Sequence, residues 1–221
     1  MAIINFRKLP GCTSIYRAGN VPVLSNYDCS SLVNNIGVYL DLRSQGEILN
    51  VQQETQNIKY ICIDMNNAEN SYIIDTPIVQ NYVEYYMAFL VTCKKQIAYF
   101  FECLSKDEQA NILYGCTLGK DRTGIITYLL LSFMNTPFDV IKSDYIKSEE
   151  ELVNNQVVID YFKSINKNDF YNRISNLDKI FECFNYQFIK KYGTVYNYLL
   201  EIGINEFEQK NIYKKLEKRF R

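Results

Sequence analysis

The segment "ANILYGCTLGKDRTGIITYLLLSFMN", residues 110–135, constrains the fold more than any other part of the chain. It opens with a short apolar run of strand length. It ends in "TGIITYLLLSFMN", which is apolar on nearly every side of a helical wheel. A helix without a polar face has to be surrounded by protein, so the segment predicts a buried strand running into a helix in the middle of the fold. The turn between them, "GCTLGKDRTG" at 115–124, is framed by glycines. Open α/β folds place ligands where the carboxyl end of a strand meets a helix.

The rest of the chain agrees with such a centre. "SIYRAGN" reads as an extended piece ending at Gly19, "NNIGVYLDLRS" as a strand near Gly37 to Leu42, and "NIKYICIDM" as a third strand. Then the period changes. After Thr76 and Pro77, read as N-cap and first helical position, Val79, Tyr82, Val83, Tyr86, Met87, Leu90 and Val91 share one helical face, a stripe that reads as core packing. "KKQIAYFFECLSK" is a further helical stretch. From Pro137 onward only helical patterns occur, among them "GTVYNYLLEIG", ending at Gly203, and "NEFEQKNIYKKLEKRF", opened by Asn205 with Glu208 three residues later.

No repeat and no Gly/Ser- or Pro-rich linker interrupts the 221 residues, and 48% hydrophobic composition suffices for one full core. The expectation is a single α/β domain over 1–221. Its central, mostly parallel sheet is flanked by helices, and its helical additions span about 137–221.

Composition removes several chemistries. There is no histidine, so Cys-His and Ser-His catalysis and His-based zinc or iron sites are excluded. Lys and Arg number 24 against 25 Asp and Glu, which gives no sequence-wide field for nucleic acid or an anionic membrane. The basic tail "KKLEKRFR" reads as a solvated helix end. Seven cysteines without a C-x-x-C pair read as reduced thiols. No signal-peptide core and no apolar run of membrane-spanning length occurs, so the expected location is cytoplasmic, with leaderless secretion left open.

The chemistry gathers at 115–124. Gly119 and Gly124 permit close backbone approach, and the segment from Thr117 through Leu118, Gly119 and Lys120 to Asp121 can turn its N–H groups inward. Together with the positive end of the following helix they form an anion cradle. Arg122 can grip two oxygens of a phosphoryl group with its planar fork. The donors that hold a dianion also favour a thiolate at Cys116, aimed at phosphorus. Attack yields a phosphocysteine that water hydrolyses, with Thr123 placed to hydrogen-bond the departing sulfur. No metal or organic cofactor is called for.

This arrangement resembles the cysteine-dependent phosphatases of the protein tyrosine phosphatase superfamily. "GKDRTG" is especially similar to the bacterial tyrosine phosphatases whose loops approach those of phosphoinositide phosphatases. "INFRKLPG" with "IYRAGN", then "LDLRSQGE", "CTLGKDRTG" and "YGTVYNYLLEIGI" follow in that family's order and span most of the chain. The resemblance implies Cys116 as nucleophile, Arg122 as phosphate clamp, and Lys120 and Asp121 as the loop's basic and acidic members. The family's usual histidine before the cysteine is replaced by Gly115, from which a working but less acidic thiol is expected.

A carboxylic acid has to protonate the leaving group, and three aspartates compete. The resembling family assigns that role to the position of Asp121; many other superfamily members keep the acid on a separate loop, where Asp64 and Asp75 lie. Asp41, Arg43, Arg7 and Arg17 read as supports for neighbouring loops. The expected partner is a phosphorylated protein or peptide carrying phosphotyrosine. A shallow pocket with Lys120 at its lip would admit phosphoinositides or phosphoserine. The rivals are a catalytically inactive phosphate-binding module, an arsenate reductase and a sulfurtransferase.

Overall fold

The computed structural model describes residues 3–19, 35–48, 58–66, 77–106, 110–156, 159 and 176–220. Cys29, Asp75 and Thr76 lie outside them. Five strands, β1 (Arg7–Lys8), β2 (Ile15–Ala18), β3 (Ile36–Asp41), β4 (Lys59–Cys62) and β5 (Asn111–Gly115), form one sheet in the order β1-β2-β5-β3-β4. Only the β1–β2 pair is antiparallel. β5 therefore has a parallel neighbour on each side, and Ile112, Leu113 and Tyr114 are fully buried, the pattern of a strand covered on both faces.

The described helices are α1 (Gln45–Ile48), α2 (Ile78–Thr92), α3 (Lys94–Lys106), α4 (Asp121–Phe133), α5 (Phe138–Val153), α6 (Leu177–Tyr192), α7 (Val195–Glu201) and α8 (Glu206–Glu217). Among the described residues every element from Phe138 onward is a helix, as the periodicity predicts. α4 occupies the centre: Ile125, Ile126, Leu129, Leu130, Leu131 and Phe133 are all buried within the main core. Tyr114 and Thr127 bond hydroxyl to hydroxyl at 2.6 Å, and Thr127 donates to the Thr123 carbonyl at 2.7 Å, tying β5 to the first turns of α4. The other sheet face carries a smaller cluster of Ile3, Ala18, Ile36, Tyr39 and Leu113, to which no described helix contributes. No helix among the described residues is long and apolar enough to cross a membrane.

Local signals hold with three corrections. The Asn205 capping box is present, with Glu208 N–H donating to Asn205 Oδ1 at 3.0 Å and Asn205 N–H donating to Glu208 Oε2 at 2.8 Å. Pro77, expected as the first helical residue, stands at the N-cap of α2, its ψ of 138° still extended. On α2 the predicted stripe is displaced: Val91 is 45% exposed while Phe89 is fully buried. The helix is packed against both α6 and α4, so its buried arc is wider than one stripe. The tail is a solvated end only in part: Lys214, Glu217 and Lys218 are exposed, but Arg219 and Phe220 after them are not. Arg219 is buried, donating to Ser14 Oγ at 2.7 Å and the Ala110 carbonyl at 2.8 Å, which stitches the C-terminus to the starts of β2 and β5.

Strand register sets the site. Ala18 pairs with Gly115, Gly115 with Asp41, and Asp41 with Cys62. The loops leaving β2, β5, β3 and β4 therefore emerge side by side at one carboxyl edge of the sheet.

Candidate active site

Residues 116–120 join β5 to α4, and their conformation is set from outside the loop. Asn5 donates its side-chain amide to the Leu118 carbonyl at 2.8 Å, and Arg17 donates to the Gly119 carbonyl at 2.5 Å. In a trans peptide the N–H points opposite to the C=O, and no peptide here is cis. Anchoring those two carbonyls outward therefore turns the Gly119 and Lys120 N–H groups to the other, concave side. Gly119 has φ +67°, and a Cβ there would lie 2.4 Å from the Gly19 nitrogen, so only glycine lets the loop lie on that segment. Among the described residues, the backbone N–H groups of Thr117, Leu118, Gly119, Arg122 and Thr123 meet no acceptor. The last two belong to the open first turn of α4, whose positive end faces the loop.

Arg17 itself is fully buried, as is Asp144 of α5 but for 2%. Asp144 accepts from Arg17 and, at 2.7 Å, from Arg7; Ser148 bonds both guanidinium groups. Burial works to raise the Asp144 carboxyl, but Arg17 and Arg7 outweigh it and hold it below its ordinary value. The support role expected of Arg7 and Arg17 is thus visible as contacts. Asp41 likewise accepts from the Arg43 backbone at 3.0 Å, from its guanidinium and, at 3.0 Å, from Tyr60.

Cys116 is buried at 3% exposure, and its Sγ accepts a hydrogen bond from the Thr123 hydroxyl at 3.1 Å. Arg122 lies beside it. Its Nη1 and Nη2 donate to the two oxygens of Glu47 at 2.7 and 2.6 Å, and Nη2 also reaches Thr117 Oγ1 at 3.3 Å. Nε meets no acceptor among the described residues, and the Nη2 N–H beside it makes only the long 3.3 Å contact to Thr117, which an oxyanion can displace. Burial works to lower the guanidinium, but Glu47 and the neighbouring Cys116 sulfur outweigh it and the group stays charged. Burial works to raise the Glu47 carboxyl; Arg122, Thr117 and Ser44 hold it well below the usual carboxylate range.

Sequence reasoning misses Glu47 although a signal exists. Ser44 and Glu47 form the S-x-x-E pattern of a helix start. Glu47 Oε2 accepts from the Ser44 N–H at 2.8 Å and its hydroxyl at 2.9 Å. The same carboxylate that caps α1 therefore holds Arg122.

The acidic and basic loop members behave differently from one another. Asp121, 21% exposed, accepts from the Tyr86 hydroxyl at 2.7 Å. Lys120, expected at the lip of the pocket, is instead fully buried: its Nζ pairs with Glu149 at 2.5 Å and lies over the rings of Tyr82 and Tyr145. The physical reason is the neighbourhood. Glu149 of α5 is itself buried and requires a counter-charge. Asp64 sits beyond β4 and accepts from the Gln45 and Asn66 N–H groups; Asp75 is outside the described residues. The six described cysteines are free thiols. Among the described residues no group of three or more His, Cys, Asp or Glu side chains is arranged to hold a metal ion.

A cysteine at the end of the central strand, an arginine six residues on at the start of a buried helix, and a loop of inward N–H groups between them define a cysteine-type phosphatase. The family model described as "Tyrosine phosphatase family" matches residues 3–218, and the chain belongs to that family. Among solved structures, the Siw14 catalytic core is similar at 17% identity and a TM-score of 0.46, over 81% of this chain and 95% of that one. No curated protein matches the sequence at a significant level.

Proposed function

We propose that the chain hydrolyses phosphate monoesters, protein phosphotyrosine first among them, through a phosphocysteine intermediate on Cys116. The observation that carries this reading is the Thr123 hydroxyl on the Cys116 sulfur, at the start of α4, beside a loop in which the Thr117, Leu118 and Gly119 N–H groups meet no acceptor among the described residues. A phosphoryl dianion satisfies those donors, and the Nε–Nη2 edge of Arg122 takes two of its oxygens. The sulfur attacks phosphorus, an S–P bond forms, and the ester P–O bond breaks with its electron pair on the leaving oxygen. Asp121 supplies that oxygen with a proton. Water then attacks the phosphocysteine, giving its proton to the Asp121 carboxylate, and the thiolate leaves with Thr123 donating to it.

Asp121 suits the acid role better than Asp64, because it opens α4 directly after the loop while Asp64 lies beyond β4, engaged with the Gln45 and Asn66 N–H groups. The burial of Lys120 removes the cation that would draw a second phosphate, which favours phosphotyrosine over phosphoinositides. Turnover of p-nitrophenyl phosphate by the wild type and by Cys116→Ser, with chelator present, tests the reading. Loss of turnover in Cys116→Ser with retained phosphopeptide binding is expected; turnover that persists without the thiol would overturn it. A panel of phosphotyrosine, phosphoserine and inositol phosphates tests the substrate class.

A further inference from the structure

Asp121 lies at the end of a buried line of hydroxyls. Tyr86 of α2 donates to its Oδ1 at 2.7 Å, and the Tyr86 and Tyr145 hydroxyls are 2.6 Å apart. Both tyrosines are buried, at 0% and 1% exposure. The direction of the line follows from counting acceptors. If Tyr86 donated to Tyr145, the Tyr145 proton would meet no other acceptor among the described residues, a costly state for a buried hydroxyl. Tyr145 therefore donates to Tyr86, and Tyr86 to Asp121. The rings are fixed: Tyr86 packs edge-on against Phe184 at 5.5 Å, and Tyr145 stacks on Phe181 at 4.3 Å.

We propose that Tyr86 is a positioning residue for Asp121: it occupies Oδ1 as a permanent donor, so that the proton delivered to the leaving group is carried on Oδ2. The inference rests on the reading of Asp121 as the general acid. Tyr86 is not itself the acid, since burial, followed by the Asp121 carboxylate beside it, pushes its ionisation well above the ordinary tyrosine range. In the first step the proton passes from Oδ2 to the leaving oxygen as the P–O bond breaks, and Tyr86 keeps its own. The carboxylate so formed already has a donor in place, which stabilises the conjugate base without any rearrangement.

Other charged and titratable groups face Asp121 from each neighbouring element. Lys120 Nζ is 3.9 Å from Oδ1 and is matched by Glu149 of α5 at 2.5 Å. Tyr82 of α2 and Tyr145 of α5 flank that lysine, and Arg122 follows in the chain. Tyr86→Phe leaves all of these intact and removes one donor to the carboxylate. With that donor gone, the carboxylate is less favoured, so the alkaline limb of kcat/KM is expected to move to higher pH.

The experiment compares wild type, Tyr86→Phe, Tyr145→Phe and Asp121→Asn on phenyl phosphate, p-nitrophenyl phosphate and 2,4-dinitrophenyl phosphate, with pH profiles. The dinitrophenolate leaves without a proton, whereas phenolate needs one. Tyr86→Phe is expected to lower kcat/KM on phenyl phosphate by about tenfold, a fraction of a full general-acid effect. On the dinitrophenyl ester it is expected to change kcat/KM by no more than about twofold. An equal loss on all three esters, or an unmoved alkaline limb, would overturn the positioning role. Asp121→Asn separates the two failures: without a steeper leaving-group dependence there, the acid assignment falls and this inference with it. If Tyr86→Phe does not fold, Tyr145→Phe, one hydroxyl further back, must show the same ester-dependent loss in smaller measure, and its absence would overturn the proposal.

Discussion

Gly115 faces Ala18 so closely across the β2–β5 ladder that a Cβ at 115 would lie 2.4 Å from the Ala18 carbonyl oxygen. The residue standing where related phosphatases usually keep histidine is therefore dictated by strand spacing in this chain. Gly115→His is expected to lower stability by about 1–3 kcal/mol, the range for forcing atoms into packed space, and to reduce p-nitrophenyl phosphate turnover. Thermal unfolding and steady-state kinetics check this. A histidine variant with unchanged Tm and faster turnover would refute it.

Glu47 and Arg122 make the next prediction. Because Glu47 fills the Nη1–Nη2 end of the guanidinium, in the proposed reaction it fixes which edge is offered to substrate. Glu47→Gln keeps the shape but loses the charge, and misplacing a clamp by a fraction of an ångström costs about ten- to a hundredfold in kcat/KM. Kinetics on p-nitrophenyl phosphate read the loss directly, and wild-type kcat/KM would remove Glu47 from the site.

Thr123→Val tests the sulfur contact. In the proposed reaction the hydroxyl 3.1 Å from Cys116 Sγ stabilises charge as the thiolate is released. Its removal is expected to slow hydrolysis of the intermediate by about tenfold or more, so that phosphoenzyme accumulates after rapid acid quench. Equal phosphoenzyme levels in variant and wild type would count against the contact.

Asp144 carries the stability prediction. Its folded carboxyl ionises at lower pH than when unfolded, so its contribution is present above the unfolded value of about 4 and lost as pH falls through the folded one. Asp144→Asn leaves Arg7 and Arg17 buried without their carboxylate, a cost of about 3–5 kcal/mol. Denaturant melts at pH 7 should show that loss, and the gap between variant and wild type should narrow as pH drops below about 4. A gap that stays constant across that range would contradict the assignment.

Much of the molecule is written locally. The all-round apolar helix at 121–133, the strand before it, the capping box at Asn205 and the Cys116–Arg122 spacing depend on neighbours in sequence, where periodicity and side-chain chemistry act directly. Those features suffice to propose a parallel α/β core and to locate the candidate cradle at its carboxyl edge. The partners of that cradle are another matter. Glu47 reaches Arg122 across 75 positions, Arg17 reaches Gly119 across 102, and Tyr86 reaches Asp121 across 35. None of these pairings has a local signature, because each arises only when strand register brings separate loops to one edge. Lys120 shows the same limit from the other side: a loop lysine reads as exposed until the fold sets a buried carboxylate, Glu149, directly behind it. Sequence by itself determined the candidate loop and the layers around it, since both follow from local spacing; tertiary structure alone decided which way Lys120 and Arg122 point, since a buried charge turns toward whichever opposite charge the packing delivers.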